Sequence, residues 1–303
     1  MTKFKSNGKL LLTAEYLVLD GAKALALPTS FGQQLLIENN NSDYINWKSF
    51  DESNNIWFND KFLIENILSN NYTSSNKISQ KLIEILRSVN SLTPNFLKQS
   101  NGFNIKTTQD FNRNWGLGTS STLINNVADW ANVNAYKLLE LTFGGSGYDI
   151  ACAQNDNAIS YQLTGKNSSV ITVDFNPSFK NHIYFVYLNQ KQNSRDGIAA
   201  YRNYKGDLKA SISKINHISD KMILCDNQKE FEALIVLHED IISKIINLKP
   251  VKEVLFSDFN GAIKSLGAWG GDFVMVTSKT NPVAYFEAKG FNTIIPYNKM
   301  IKS

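Results

Sequence analysis

The sequence predicts an α+β protein of two lobes, and three observations carry that prediction. Short apolar strands of antiparallel character mix with amphipathic helices, without the regular alternation of βαβ units. Glycine-rich loops interrupt the chain at three widely separated places. The 303 residues, 43% of them hydrophobic, suffice for one large or two medium domains with filled cores.

The elements follow in order. Residues 9–12 read as a strand entered through Asn7-Gly8, and Asp20-Gly21 reads as a turn. Residues 24–27 form a short apolar strand ended by Pro28, and 34–38 form another. The Asn-, Ser- and Asp-rich stretch 39–60, interspersed with Trp47, Phe50, Trp57 and Phe58, predicts a peripheral hairpin with long loops. Ile78, Leu82, Ile83, Ile85 and Leu86 share one face of a helix over 76–88, and 103–106 alternate as a strand. That strand leads into Asn114-Trp115-Gly116-Leu117-Gly118-Thr119-Ser120-Ser121-Thr122. Behind it Leu123, Ile124, Val127, Ala128 and Ala131 recur at helical spacing, with Thr119 placed to cap the helix.

A helix over 135–143 precedes Gly144-Gly145-Ser146-Gly147-Tyr148-Asp149-Ile150, where an aspartate heads an apolar helix. The helix dipole alone favours a carboxylate there. Strands over 158–163 and 170–174 flank a change of organisation near 163–167, which divides the chain into domains 1–165 and 166–303. The second half offers a strand over 182–188, the polar loop Lys191-Gln192-Asn193-Ser194-Arg195, and a helix through Tyr204. Helices over 207–225, 229–248 and 258–265 come next, then the loop Gly267-Ala268-Trp269-Gly270-Gly271-Asp272. A strand over 273–277, a helix over 281–289 ended by Gly290, and a strand over 292–296 complete the chain.

Composition narrows the function. Charged residues make up 19% and the net charge is +4, which suits anionic small ligands. No Lys/Arg stripe argues for nucleic acid. Cys152 and Cys225 build no disulfide framework or metal spacing. No signal pattern or membrane-length apolar run is present, so the expectation is a soluble, cytoplasmic protein, monomeric or homodimeric. His182, His217 and His238 are scattered and read as structural or surface residues, and Ser120 has no Ser-His-Asp context.

The 114–122 stretch carries the chemistry. Two glycines one residue apart let the backbone turn tightly, and a helix N-terminus behind them aims free N–H groups and the positive dipole end at an anion. A polyphosphate is the natural occupant, with Ser120 or Ser121 able to hold its Mg²⁺. The loop is neither a Walker A motif nor a dinucleotide fingerprint, since it lacks Gly-Lys-Ser/Thr and a third glycine in register.

Three segments in order resemble the GHMP kinases, the family of galactokinase, homoserine, mevalonate and phosphomevalonate kinases. Gly8-Lys9 with Glu15-Tyr16-Leu17-Val18-Leu19 is similar to the family's first segment, Gly116-Leu117-Gly118-Thr119-Ser120 to its Gly-Leu-Gly-Ser-Ser loop, and Gly267–Asp272 to its C-terminal glycine loop. Glu15-Tyr16 and Gly145-Ser146-Gly147-Tyr148-Asp149-Ile150-Ala151 look most like phosphomevalonate kinases. Ala14 and Trp269 stand where the family has glycine, and the glutamate Mg²⁺ ligand of mevalonate kinases has no counterpart.

The resemblance implies a two-lobed fold with ATP between the lobes. It implies Gly116, Leu117, Gly118, Thr119, Ser120 and Ser121 around the phosphates, and Ser120 on Mg²⁺. Lys9 would neutralise charge at the transferred phosphoryl group, and Asp149 would orient or deprotonate the acceptor. Glu15, Ser146, Gly147, Gly270 and Gly271 would stand beside the acceptor. Lys191, Ser194 and Arg195 form a basic loop suited to an acceptor's own phosphate. The expected activity is an ATP-dependent kinase acting on a mevalonate-pathway intermediate of isoprenoid biosynthesis, foremost phosphomevalonate. The alternatives are a mevalonate kinase, a diphosphomevalonate decarboxylase-like enzyme, or a catalytically silent nucleotide-binding regulator. Trp269 is expected to narrow the site.

Overall fold

The structure, a computed structural model, describes residues 1–69, 72, 74–98, 101–165, 167–191 and 194–302, without the side chains of 194–196. The chain forms two compact units. The first comprises 1–8, 31–113 and 117–154; the second comprises 9–30, 114–116 and 155–303.

Two strands contribute to both units. β1 (Thr2–Leu11) has its first residues in the first unit, and β2 (Ala24–Asn39) has its last residues there. β2 is one strand of 16 residues where the sequence suggests two split at Pro28. It pairs with one neighbour through Ala24–Ala26 and with another through Gln33–Asn39. Pro28 lies outside both registers, so its missing N–H interrupts neither ladder.

In the first unit β3 (Tyr44–Phe50) and β4 (Ile56–Leu63) form an antiparallel hairpin. Next come α1 (Ile64–Leu68), α2 (Lys77–Leu92) and β5 (Phe103–Gln109). The sheet order is β4-β3-β5-β2, with β3 and β5 parallel. The hairpin forms one edge of the sheet, as a peripheral hairpin should, but one of its faces belongs to the core. Its polar residues occupy the turn and alternate strand positions, while Ile45, Trp47, Phe58 and Phe62 face the core. α2 buries the stripe that the sequence displays, and Asn76 caps it by accepting from Ile78 N at 2.9 Å. α3 (Thr119–Ala131), α4 (Ala135–Thr142) and α5 (Tyr148–Gln154) complete the unit, with α3 packed on α4 and α5.

α3 is held to the sheet by polar groups as well as by its apolar face. Ser6 Oγ donates to Asn126 Oδ1 at 2.9 Å, and Asn126 Nδ2 donates to the Gln33 carbonyl at 3.0 Å. Asn125 Nδ2 donates to Ser6 Oγ at 3.0 Å and accepts from Gln154 of α5 at 2.8 Å. Ser6, Gln33, Asn125 and Asn126 are all buried. Asn126→Ala would take away the acceptor of the Ser6 hydroxyl and the side-chain donor to the Gln33 carbonyl inside the unit. Its expected cost is about 1–3 kcal/mol in urea denaturation. A change below about 0.5 kcal/mol would mean that the network contributes nothing measurable.

The second unit adds β6 (Ile159–Thr164) and β7 (Asn167–Thr172), an antiparallel pair in which β6 also binds the start of β2. Then follow β8 (Ile183–Tyr187), α6 (Ser194–Arg202), α7 (Leu208–Leu224), α8 (Gln228–Ile246), α9 (Val251–Leu255), β9 (Ile263–Ser265) and β10 (Phe273–Thr277). α10 (Val283–Ala288), β11 (Ile294–Pro296) and α11 (Tyr297–Met300) end the chain. The antiparallel sheet runs β11-β8-β10-β9. The helix read over 258–265 is corrected: α9 precedes that segment and β9 ends it. Gly261 decides the point, because a Cβ there would lie 2.0 Å from the Thr277 carbonyl oxygen of β10. Among the described residues no helix is long and apolar enough to cross a membrane.

Candidate active site

The glycine loop forms as its composition requires. Gly116 and Gly118 take positive φ angles of 69° and 94°, a region that L side chains avoid. Gly118, not Thr119, is the N-cap of α3, and no side chain caps the helix. Thr119 instead accepts from Gln109 Nε2 at 2.9 Å through its hydroxyl, which fixes the loop exit to β5. Ser121 is buried and donates to the Gly118 carbonyl at 2.9 Å. Ser120 is exposed on the first turn of α3. The helix thus presents one hydroxyl outward and turns the next one into its own backbone.

Asp149 lies in the first turn of α5, half-buried, and its Oδ1 accepts from Ile150 N at 3.1 Å. Ser146 and Gly147 precede it, Gly147 with φ 86°. Because α3 and α5 pack together, the first unit holds Ser120 and Asp149 on neighbouring helices.

Lys9 is half-buried on β1 and belongs to the second unit, as do Glu15, Gly116 and the third glycine loop. Glu15 is the centre of a buried ionic cluster. Lys264 Nζ on β9 donates to Glu15 Oε1, to the Ser265 carbonyl at 2.8 Å, and to Glu239 Oε1 of α8 at 3.3 Å. Ser265 Oγ donates to Glu239 Oε2 at 2.9 Å. Burial pushes the Glu15 carboxyl up to about 7, against the lowering effect of Lys264. Burial likewise raises Glu239.

His238 completes the cluster. Its Nε2 accepts the Ala14 N–H at 3.0 Å and stands 3.2 Å from Glu15 Oε2. Burial, and then the charge on Lys264, hold the imidazole well below its usual pKa, so the contact with Glu15 is not an ion pair. Nε2 spends its one lone pair on the Ala14 N–H, so the approach of Glu15 Oε2 is a close polar contact rather than a hydrogen bond.

This cluster fixes a strained turn. Ala14 and Tyr16 have φ angles of 68° and 65°. For a non-glycine residue that conformation costs about 1–2 kcal/mol. Ala14 stands where the resembling kinases have glycine and keeps the glycine backbone. Tyr16 stacks on Tyr201 of α6 with centroids 6.3 Å apart. Its hydroxyl fills the space a Cβ at Gly197 would need, 2.0 Å away. Asp20 accepts from the Tyr201 hydroxyl at 2.5 Å and pairs with Arg202 at 2.8 Å. The turn after β1 is thus tied to α6, the helix that starts at Ser194. Lys191 is exposed; the side chains of Ser194 and Arg195 lie outside the described residues.

The third glycine loop meets the first. Asp272 packs its carboxylate against Gly116: a Cβ at Gly116 would lie 2.4 Å from Asp272 Oδ2. Trp115 meets Phe273 edge-on, with centroids 5.5 Å apart, and Phe273 in turn contacts Tyr187. Gly270 has φ 79°, and its carbonyl accepts from Gln190 Nε2. Gly271 is buried beside it. Trp269 is 1% exposed with φ 48°, so this residue too keeps a left-handed backbone where the resembling kinases have glycine. Its ring is sequestered in the interior rather than presented to an opening.

A hollow of ≈ 800 Å³ exists elsewhere, over the outer face of the first unit's sheet, lined by Lys48, Phe50, Lys61 and Lys106 among others. It contains none of the catalytic, phosphate-binding or acceptor-binding residues expected from the sequence. Among the described residues no group of three or more His, Cys, Asp or Glu side chains could hold a metal ion.

No protein-family model and no curated protein matches the sequence. Solved structures do match across the chain. Mevalonate kinase from Methanococcus jannaschii is 15% identical with a TM-score of 0.73, covering 97% of this chain and 96% of that one. Phosphomevalonate kinase from Streptococcus pneumoniae, bound to phosphomevalonate and AMPPNP, is 16% identical with a TM-score of 0.67, covering 98% and 100%. Galactokinase from Lactococcus lactis, bound to galactose, is 12% identical with a TM-score of 0.66, covering 99% and 93%. The chain has the fold of these GHMP kinases, and at such identities the likeness fixes the fold rather than the substrate.

Proposed function

We propose that this protein is an ATP-dependent small-molecule kinase, with a mevalonate-pathway intermediate, foremost phosphomevalonate, as acceptor. The observation that carries the reading is the glycine loop opening onto α3 with Ser120 exposed at its first turn, in a chain with the fold of small-molecule kinases. Backbone N–H groups from Gly116 to Ser121 hold the phosphates at the positive end of the helix. Ser120 offers a hydroxyl to Mg²⁺. Mg²⁺ keeps most of its waters and takes phosphate oxygens, so an exposed serine hydroxyl beside the phosphates is a ligand of the kind it accepts. Bound there, the metal neutralises charge on the phosphates.

Lys9 stabilises charge on the transferred group, and Asp149 orients the acceptor oxygen. That oxygen attacks the γ-phosphorus, the bond to ADP breaks, and any acceptor proton passes to the Asp149 carboxylate. Glu15 fixes the turn beside Lys9 through Lys264 and His238. Lys191, Ser194 and Arg195 receive an acceptor's own phosphate, and Ser146, Gly147, Gly270 and Gly271 line its path. The likeness to a phosphomevalonate kinase and the Glu15-Tyr16 and Ser146–Ala151 segments support the choice of acceptor.

The test is ADP release with Mg²⁺ and ATP across phosphomevalonate, mevalonate, diphosphomevalonate, homoserine and galactose. Turnover with phosphomevalonate above the others is the expected result. CO₂ release with diphosphomevalonate would assign a decarboxylase, and nucleotide binding without turnover of any acceptor would assign a silent regulator.

A further inference from the structure

We infer that the hollow over the outer face of the first unit's sheet is a separate ligand site, which takes a small-molecule phosphomonoester on Lys48, Lys61 and Lys106. Every residue lining it belongs to the first unit, and none belongs to the site proposed above. The inference does not depend on the kinase reading.

Strand register collects the lysines. Lys48 of β3 stands directly beside Lys106 of β5. Lys61 of β4 stands beside Asn46, two residues before Lys48 on β3. Residues two apart on a strand share a face, so the three lysines lie over one side of the sheet. Ile45, Trp47 and Ile105 alternate with them and face the core on the other side. Among the described residues none of the three lysines makes an ion pair. Like charges directly opposite on neighbouring strands destabilise a sheet, so the Lys48–Lys106 pair is a cost that an anion between them removes. Two of the ammonium groups rest on aromatic rings. Lys61 Nζ lies 3.7 Å from the Tyr44 ring centroid, and Lys106 Nζ lies 4.3 Å from that of Phe50. At an exposed site such a contact is weaker than a charge-assisted hydrogen bond to phosphate, which therefore wins the lysines from the rings.

Charge, donors and size identify the ligand. Two acidic residues line the hollow, but Asp60 turns its carboxylate to Ser79 of α2, which leaves Glu38. Three lysines against one glutamate match the charge of a phosphomonoester, roughly −1.5 to −2 at neutral pH. Lysines without arginine suit a phosphate met by point charges better than a planar carboxylate met by a fork. Asn104 adds a directed donor. Its Oδ1 accepts from Asn46 Nδ2 at 2.8 Å and from Asn40 Nδ2 at 3.2 Å, which leaves its own Nδ2 to an incoming oxygen. Leu36 and Phe50 supply apolar surface beside the lysines, and a volume of ≈ 800 Å³ is that of a small-molecule site. An ester with an apolar body uses both parts, whereas inorganic phosphate uses one.

The experiment titrates phenyl phosphate, inorganic phosphate and phenol at constant ionic strength into the full chain labelled at leucine methyls, read by NMR. Leu36 reports the hollow, and Leu117 reports the glycine loop. Phenyl phosphate is expected to shift Leu36 saturably and to bind at least about threefold more tightly than inorganic phosphate, while phenol leaves Leu36 unmoved. Lys48→Gln combined with Lys106→Gln is expected to weaken phenyl phosphate at least about tenfold without altering the Leu117 response. Lys48→Arg keeps the charge and is expected to stay within about threefold of the wild type. Because the double variant removes two opposed like charges, it is expected to melt no lower than the wild type. A Leu36 signal that ignores phenyl phosphate, or moves equally in the double variant, would overturn the inference. Equal affinity for inorganic phosphate would overturn the ester and make free phosphate the ligand. Tighter binding of a single-stranded oligonucleotide than of phenyl phosphate at Leu36 would assign the face to a nucleic acid strand and overturn the small-molecule reading. A moving Leu36 with a silent Leu117 would uphold this site and count only against phosphate binding at the glycine loop.

Discussion

Lys264→Met is expected to lose about 3–5 kcal/mol of unfolding free energy at pH 8, the cost of removing one partner from a buried ion pair. Lys264 is 0% exposed, Glu15 1% and Glu239 4%, so no solvent can replace the missing ammonium. Methionine keeps most of the side-chain volume, so the loss reports charge rather than a cavity. The pH dependence separates the two causes. In the wild type the Glu15 carboxyl titrates near 7, above its ordinary value of 4.5. An acid raised on folding holds its proton in the native state longer than in the unfolded chain. Its contribution to stability is therefore greatest below about 4.5 and is lost as pH rises to about 7. Without Lys264 the burial penalty on Glu15 and Glu239 loses its largest opponent, and both carboxyls are pushed further up. The penalty of Lys264→Met should accordingly grow from pH 5 to pH 8, as read by urea denaturation at both. A loss independent of pH would mean that the cluster's charges do not govern its stability. Glu15→Gln should flatten the wild-type decline between pH 4.5 and 7.

That cluster was not legible in the sequence, whereas the loops around it were. Glu15 and Lys264 stand 249 positions apart, and no local pattern links them. Lys264 sits between Ile263 and Ser265 in a segment whose spacing imitates an amphipathic helix, and only pairing with β10 turns that lysine inward. One signal was present: three residues so close to a glycine loop leave little length for a helix, and a short buried strand fits. Asn125 and Asn126 escaped notice for a similar reason. Periodicity marks apolar faces, and these amides are buried because Ser6 and Gln33 complement them. Glycine loops are easier to read, since a left-handed backbone restricts residue choice where it occurs. Ala14 and Trp269 show the limit of that rule. Each keeps the positive φ without being glycine, held by a neighbourhood buried around it.

Asp149→Asn is expected to lower kcat by about 10²–10⁴ while leaving nucleotide affinity within about twofold. The substitution is chosen because asparagine retains a side-chain oxygen able to accept the Ile150 N–H, so the start of α5 keeps its local bond. A purely structural aspartate would then be replaced at little cost. Under the proposed function, the change removes the group that orients the acceptor oxygen and takes its proton. The size of the loss carries information about the acceptor. An alcohol must shed a proton held far above neutral pH, so its transfer should suffer near the upper end of the range. A phosphate monoester, with a second pKa of about 6, arrives already deprotonated at pH 8 and needs Asp149 for orientation alone. Its loss should fall near the lower end. Single-turnover rates and nucleotide titrations on the same preparations separate these outcomes. If kcat stays within about threefold of the wild type for every acceptor turned over, Asp149 is a first-turn carboxylate serving the helix dipole, and the catalytic role proposed for it fails.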